Sequence, residues 1–372
     1  MNKKPVLPDH KLMIPGPVEL EDDILAESGR QIAAHYGPEW TELHQANLKL
    51  LHYLFQTEGD TTMLFSSGSG GVEAAMATIL GAGEKVIILR NGFFGDRWAE
   101  MARARGLEPI EVVAPMGTPV DPAEVQKALE TQGPIGAIVA VHHETSTGIL
   151  NPIKELGALA RQYGVPFIVD AIASLGGDPL YMDDWQIDIC IAASNKCLGV
   201  APGLALVGIN PAMWELAEKK QIKAAGWYLN LNTWRFYQEN VPAHPTPVTM
   251  HSRIMSSLNL ALEKLQERGL EEQWRIYKTA ASYFRGGMAE LGFTMFAPQE
   301  HASSVISAVN VVPGMDAEDF IAYLQKEHQI RISSAMGELH GKAFRVGHLG
   351  KAGSAEYINA FLEATQQYLS AG

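Results

Sequence analysis

The sequence predicts an α/β fold: a mostly parallel, seven-stranded sheet in a large domain, with a smaller α+β domain behind it. Three observations lead there. Seven short apolar runs recur between Thr61 and Asn210. Amphipathic segments separate most of them. After Asn210 that rhythm stops and helical stretches dominate. Continuous apolar strands joined by helical crossovers mean a sheet covered on both faces. The chain has 372 residues, 47% of them hydrophobic and 19% charged. That suits a globular protein of about two or three domains.

Taken in order, the opening residues read as an arm and a helix ahead of the sheet. The strand runs follow: "TTMLFSS" (61–67), "KVIILR" (85–90), "PIEVVAP" (109–115), "GAIVAVHHE" (136–144), "PFIVDAIAS" (166–174), "DICIAAS" (188–194) and "LALVGIN" (204–210). The helical crossovers are "GGVEAAMATILGAG", "GDRWAEMARARG", "DPAEVQKALETQG" and "NPIKELGALARQYGV". Asp-Pro and Asn-Pro open helices in the expected way, and glycine closes them. "PAMWELAEKKQIKAAG" reads as a further helix. "WYLNLNTWRFYQENVPAHPTPVTM", rich in aromatics and proline, reads as an irregular segment. A long helical stretch from His251 breaks near Gly269, and the tail mixes short strands with helices. The expected division is an arm over residues 1–20, a large domain over 21–260 and a small domain over 261–372.

Charge narrows the partners. With 29 basic and 42 acidic residues the net charge is −13. That disfavours nucleic acid or an anionic membrane, though a locally basic site can still take an anionic small molecule. Cys190 and Cys197 are the two cysteines. They form neither a disulfide framework nor a metal-ligand spacing, which fits a reducing cytoplasm. The opening "MNKKPVLPDHKLMIPGPVEL" lacks the apolar core of a signal peptide. No run approaches the roughly 18 apolar residues of a membrane span.

In open α/β sheets ligands sit beyond the carboxyl ends of the strands. The loops there carry unusual residues. "SSGSGG" (66–71) is a small-residue turn feeding a helix, so its free N–H groups and hydroxyls suit a phosphate. It lacks the third small residue of a dinucleotide fingerprint and the lysine of a P-loop. "SNKCLG" puts Lys196 directly behind an apolar strand, where a desolvated amine becomes a nucleophile toward carbonyls. "DAIASLGG" ends another buried strand on Asp170, a poor strand residue that is rarely buried unpaired. A phosphate loop, a lysine and an aspartate at neighbouring strand ends are what pyridoxal 5′-phosphate needs. The lysine tethers it, and the aspartate pairs with its protonated ring nitrogen and keeps the ring an electron sink. In "NGFFGDR" an aromatic, Phe94, can stack on the ring. In "HHETSTG", Thr145 can meet the phenolic oxygen, while His143 reads as a satisfied strand-end histidine. Arg345, inside the apolar run "KAFRVGH", needs a partner, and a substrate α-carboxylate fits its fork.

Together these motifs resemble the class V aminotransferases of PLP fold type I. The likeness is greatest to the alanine–glyoxylate and serine–pyruvate transaminases and extends to 2-aminoethylphosphonate–pyruvate and pyridoxamine–pyruvate transaminases. It covers nearly the whole chain, from "IPGPVEL" to "GKAFRVGHLG". It implies Lys196 as the lysine that carries the cofactor and Asp170 as the ring partner. It implies Ser67, Gly68 and Ser69 around the phosphate, with Asn195 also reaching it, Phe94 as the stacking ring and Thr145 beside the phenolic oxygen. It implies Arg345 as the carboxylate arginine and the arm residue Gly16 near the substrate. It further implies a homodimer with shared active sites, in which the partner's Thr246 reaches the phosphate. The expected activity is a transaminase moving an amino group from a small donor, of the alanine or serine type, to a small 2-oxo acid such as glyoxylate or pyruvate. 2-Aminoethylphosphonate is the next donor in line. A PLP lyase, a cysteine desulfurase and a non-catalytic PLP-binding protein are the rival classes. A desulfurase needs a cysteine in the small domain, and both cysteines here lie in the sheet region.

Overall fold

The computed structural model describes residues 9–222 and 226–371. Seven strands form the large sheet: β1 (Asp60–Phe65), β2 (Lys85–Arg90), β3 (Glu108–Val113), β4 (Ala137–Val141), β5 (Phe167–Asp170), β6 (Ile189–Ala193) and β7 (Leu204–Ile209). Their spatial order is β1-β7-β6-β5-β4-β2-β3. All run parallel except β7, which pairs antiparallel with both β1 and β6. Strands β4 to β6 are buried along their whole length, as strands covered on both faces must be. The fold is the expected α/β architecture with a smaller C-terminal domain that has its own sheet.

The crossover helices follow the sequence pattern: α3 (Gly68–Ile79), α4 (Phe93–Ala104), α5 (Pro122–Thr131) and α6 (Ile153–Tyr163). Before them come α1 (Asp22–Ser28) and α2 (Pro38–Phe55). Asp121 caps α5 by accepting the Ala123 N–H at 2.9 Å. Gly164, at φ 63°, closes α6 in the left-handed region. Helix α3 lies tight on the sheet: a Cβ on Gly71 would sit 2.8 Å from Ile191 Cγ2 and 3.0 Å from Ala205 Cβ.

One segment departs from expectation. The aromatic stretch read as irregular contains helix α8 (Leu231–Asn240), which follows α7 (Ala212–Lys220). Asn230 caps α8 through the Asn232 N–H at 3.0 Å. Leu231 and Trp234, three residues apart, bury its inner side. The Asn cap and that spacing outweigh the aromatic and proline content around them.

Helix α9 (Ser252–Arg268) ends at Gly269, φ 86°, and α10 (Leu270–Glu290) begins immediately after. The break falls at the glycine, as the sequence indicates. The larger apolar core runs without interruption through Leu262, Leu265 and Leu270 to Trp274. A second core gathers Ala280, Phe284, Phe320, Phe344 and Phe361. It surrounds β8 (Ile306–Asn310), β9 (Ser333–Ser334), β10 (Ala343–Gly347), α11 (Ala317–His328) and α12 (Ala355–Ala371). The arm joins this second core. Lys11–Leu12 pairs parallel with Ile330–Arg331, and Met13 is fully buried there. The Gly347 N–H donates to the Met13 carbonyl at 2.8 Å. Among the described residues no helix is long and apolar enough to cross a membrane.

Candidate active site

The carboxyl ends of β1, β2, β4, β5 and β6 share one edge, because parallel strands present their loops together. Lys196 follows β6 by three residues, and Asp170 is the last residue of β5, the neighbouring strand. The Lys196 amine is partly buried and donates to the Pro15 carbonyl at 2.6 Å. Burial pushes its pKa down to about 8, and the Arg345 charge adds to that. Gly16, at φ 110°, lets the arm approach: a Cβ there would stand 2.7 Å from Lys196 Cδ and 2.8 Å from Nζ. The arm thus touches the amine directly.

Asp170 is buried, and each of its oxygens has a protein donor. The Ile172 N–H reaches Oδ1 at 2.9 Å and the Trp98 indole N–H reaches Oδ2 at 3.0 Å. Burial nevertheless pushes its pKa up to about 7, and the neighbouring Glu144 charge pushes the same way. Lys196 opposes that shift, so the two groups sense each other.

Ser67 is the N-cap position of α3 but its side chain makes no capping bond. The amides of Gly68, Ser69 and Gly70 begin the helix and have no intrahelical acceptor. A Cβ on Gly68 would meet Ile172 Cδ1 at 2.5 Å, so the loop after β5 presses on this turn. Asn195 stands half-buried beside Lys196. Phe94, in the first turn of α4, packs partly against the core. Its ring meets Phe93 edge-on at 5.5 Å, and Arg97 lies 4.9 Å above it.

Thr145 is buried, and its carbonyl faces Arg345 Nη1 at 3.5 Å. Arg345 sits mid-strand in β10, buried, and its Nε donates to the Ser334 carbonyl at 3.1 Å. Burial draws its pKa down to about 10, so it stays cationic at neutral pH. Among the described residues no carboxylate forms an ion pair with it, although the Glu144 charge acts on it, and its two bonded nitrogens meet only backbone carbonyls.

Thr246 is expected to serve the site of a partner subunit rather than this one. Thr246 is fully buried, and its hydroxyl donates to the Val248 carbonyl at 3.1 Å. His143 is buried and bonds the Ser303 hydroxyl through Nδ1 at 3.2 Å, while its Nε2 has no partner among the described residues and the Lys196 charge acts on it.

Sequence reasoning missed two residues. Glu144 is buried and accepts from the Phe94 N–H (3.0 Å), the Gly95 N–H (3.2 Å), the Ser146 N–H (3.1 Å) and the Ser146 hydroxyl (2.6 Å). It ties the Thr145 loop to the start of α4. Trp98 is the donor to Asp170. The signal for Glu144 was the one that exposed Asp170: an acidic residue behind a buried strand. Nothing local marks Trp98.

The sheet order, the small domain and this set of side chains define an α/β enzyme fold with a partly buried lysine beside a buried aspartate at its centre. The chain belongs to the class V aminotransferases, whose family model matches residues 23–345. It is 32% identical to an uncharacterized aminotransferase of Methanocaldococcus jannaschii over 93% of this chain and 89% of that protein. Among solved structures, the alanine–glyoxylate aminotransferase of Nostoc sp. superposes with a TM-score of 0.93 at 28% identity, covering 99% of this chain and 97% of that one. The ureidoglycine–glyoxylate aminotransferase of Bacillus subtilis gives a TM-score of 0.94 at 25% identity, covering 99% and 95%.

Proposed function

We propose that this aminotransferase binds pyridoxal 5′-phosphate and moves an amino group from a small donor, of the alanine or serine type, to glyoxylate or pyruvate. The observation that carries the reading is the convergence of Lys196 and Asp170. An amine with its pKa drawn to about 8 and a buried carboxylate with two donors stand at the ends of adjacent strands. The residues around them fit the cofactor. The uncapped start of α3, with Ser67, Gly68 and Ser69, suits the phosphate, and Asn195 would reach it as well. Phe94 would cover a ring face, and Thr145 offers a hydroxyl that makes no hydrogen bond among the described residues.

When bound, the cofactor would supply an electron sink for the electron pair left at the donor's Cα. The chain's own residues do the rest. Lys196 would hold the cofactor, and its amine would take the proton from the donor's Cα and deliver it at the cofactor's C4′. Its lowered pKa keeps much of that amine neutral near pH 8. Arg345 would grip the α-carboxylate of donor and acceptor in turn, and Gly16 lets the arm lie directly against the lysine. The glyoxylate in the names of both solved relatives supports a small 2-oxo acid as acceptor.

The domain passage we put inside α10, where the larger core gives way to the smaller after Trp274. A homodimer with shared sites is part of the proposal, in which the 241–249 segment faces the partner. The buried free thiols of Cys190 and Cys197 suit a cytoplasmic setting.

The test is direct. The protein is incubated with pyridoxal phosphate, reduced with borohydride and digested, then assayed with a panel of amines against glyoxylate and pyruvate. The proposal expects a reduced adduct on Lys196 and amino-group transfer, both absent in Lys196→Ala. Full turnover in that variant sinks it.

A further inference from the structure

We infer that Trp98 is a positioning residue for Asp170: its indole N–H holds the carboxylate so that the proton shared with the cofactor ring rests on the ring nitrogen rather than on the aspartate. The inference rests on the proposed cofactor and extends it to a residue outside the motifs that suggested it.

The geometry is closed on the protein side. Trp98 lies one turn beyond Phe94 on α4, is fully buried, and puts Nε1 at 3.0 Å from Asp170 Oδ2. The Ile172 N–H holds Oδ1 at 2.9 Å. An indole N–H and a backbone N–H can only donate. Both oxygens are therefore met by groups that favour the ionised form, and protonating either oxygen weakens one of the two bonds. Each oxygen keeps a further lone pair for a donor from the site.

These two bonds have opponents. The buried Glu144 charge lies close enough to disfavour a second anion, and burial does the same. Lys196 is the cation that acts on Asp170 among its described neighbours, and the proposed function commits its nitrogen to the cofactor. The ionised state then depends on the two N–H donors and the ring itself. The Ile172 donor is backbone and comes with the turn. The Trp98 donor is a side-chain choice.

Burial alone does not dictate that choice. Trp234 gives its N–H to the Tyr228 carbonyl, and Trp40 and Trp274 leave theirs unpaired. Trp214 does give its N–H to a carboxylate, Asp60, at 2.6 Å, but the other three show that burial in this chain does not require one.

The experiment uses holoprotein carrying pyridoxal phosphate labelled with 15N in the ring. Two altered proteins are compared with wild type: Trp98→Phe, and one with 3-benzothienylalanine installed at position 98, which keeps the bicyclic shape and lacks the N–H. In wild type the ring 15N resonance is expected in the protonated range. In both altered proteins it moves toward the neutral pyridine range, and kcat falls about tenfold, the scale of a lost bond to a charged group. KM for the acceptor stays within about twofold, because the lost bond touches no substrate. On an Asp170→Asn background the Trp98 change adds nothing. The inference is overturned if the benzothienyl protein binds cofactor with an unshifted resonance, or if the same loss persists with Asp170→Asn, which would make Trp98 a packing residue. A wild-type protein with no borohydride-reducible adduct at Lys196 instead sinks the cofactor reading, and this inference with it, before any Trp98 variant is made.

Discussion

At the scale of single residues, the site is a balance of charges held out of water. Burial first, and Arg345 second among the groups that lower it, draw the Lys196 pKa to about 8. Attack on a carbonyl needs the neutral amine, whose fraction grows as pH rises through the pKa. Capture of pyridoxal phosphate by ligand-free protein should therefore accelerate with a midpoint near pH 8. Arg345→Gln removes a positive neighbour and should move that midpoint up; Asp170→Asn removes a negative one and should move it down. A stopped-flow pH profile reads all three, and a wild-type midpoint near the ordinary lysine value contradicts the burial argument. Arg345→Gln should also raise KM for 2-oxo acids by about tenfold or more, the worth of a charge-assisted bond, with a smaller change in kcat. Steady-state kinetics with glyoxylate and pyruvate decide it, and an unchanged KM for both removes the carboxylate role.

At the scale of elements, loops from distant strands are locked by close backbone approach. A Cβ on Gly92 would stand 2.4 Å from both Glu144 Cγ and Ser146 Oγ. Gly92→Ala should push the Thr145 loop from the start of α4. Overpacking of that kind costs about 1 to 3 kcal/mol, enough to weaken cofactor binding by about tenfold or more. A spectral titration with pyridoxal phosphate gives the answer, and wild-type affinity would mean that the loop yields freely. Most of this level was legible in the sequence. The apolar runs and the break at Gly269 announced strands and helices because each pattern repeats within a few residues. Helix α8 was not legible, because its aromatic composition hides a helix that packs on α3 and β1. Its first amide donates to Thr78 Oγ1, 153 positions away.

For the whole molecule, buried titratable groups couple stability to pH. His44 on α2 is buried, and burial alone brings its pKa from the ordinary 6.5 to about 4. Above 6.5 it is neutral in both folded and unfolded chains. As pH falls below 6.5 the unfolded chain takes up the proton first, so the stabilisation is lost progressively toward pH 4. His44→Gln should then gain on wild type in melting temperature as pH drops from neutral toward 4.5, and a pH-independent difference would remove the linkage. Asp170 works in the opposite sense in the ligand-free protein. Its raised pKa adds stability that is lost as pH rises through about 7. Assembly belongs to this scale too. Trp227 and Phe236 are 54% and 57% exposed, and Ile32 is 67% exposed on a segment that contacts residues 242–244. Apolar side chains so exposed fit a covered face. Sedimentation should give twice the 40.5 kDa chain mass; a fully active monomer would refute shared sites.

The sequence by itself determined the strand and helix succession apart from α8, and singled out Lys196, Asp170 and Arg345, because a charged residue inside or directly behind an apolar strand is anomalous within a few positions of chain. It could not reveal that Trp98 grips Asp170 across 72 positions, or that Glu144 ties its loop to Phe94 across 50. Those bonds exist only once the sheet has brought its loops to one edge. Local pattern records what a residue must hide or expose, whereas its hydrogen-bond partner is chosen by the packing of the whole.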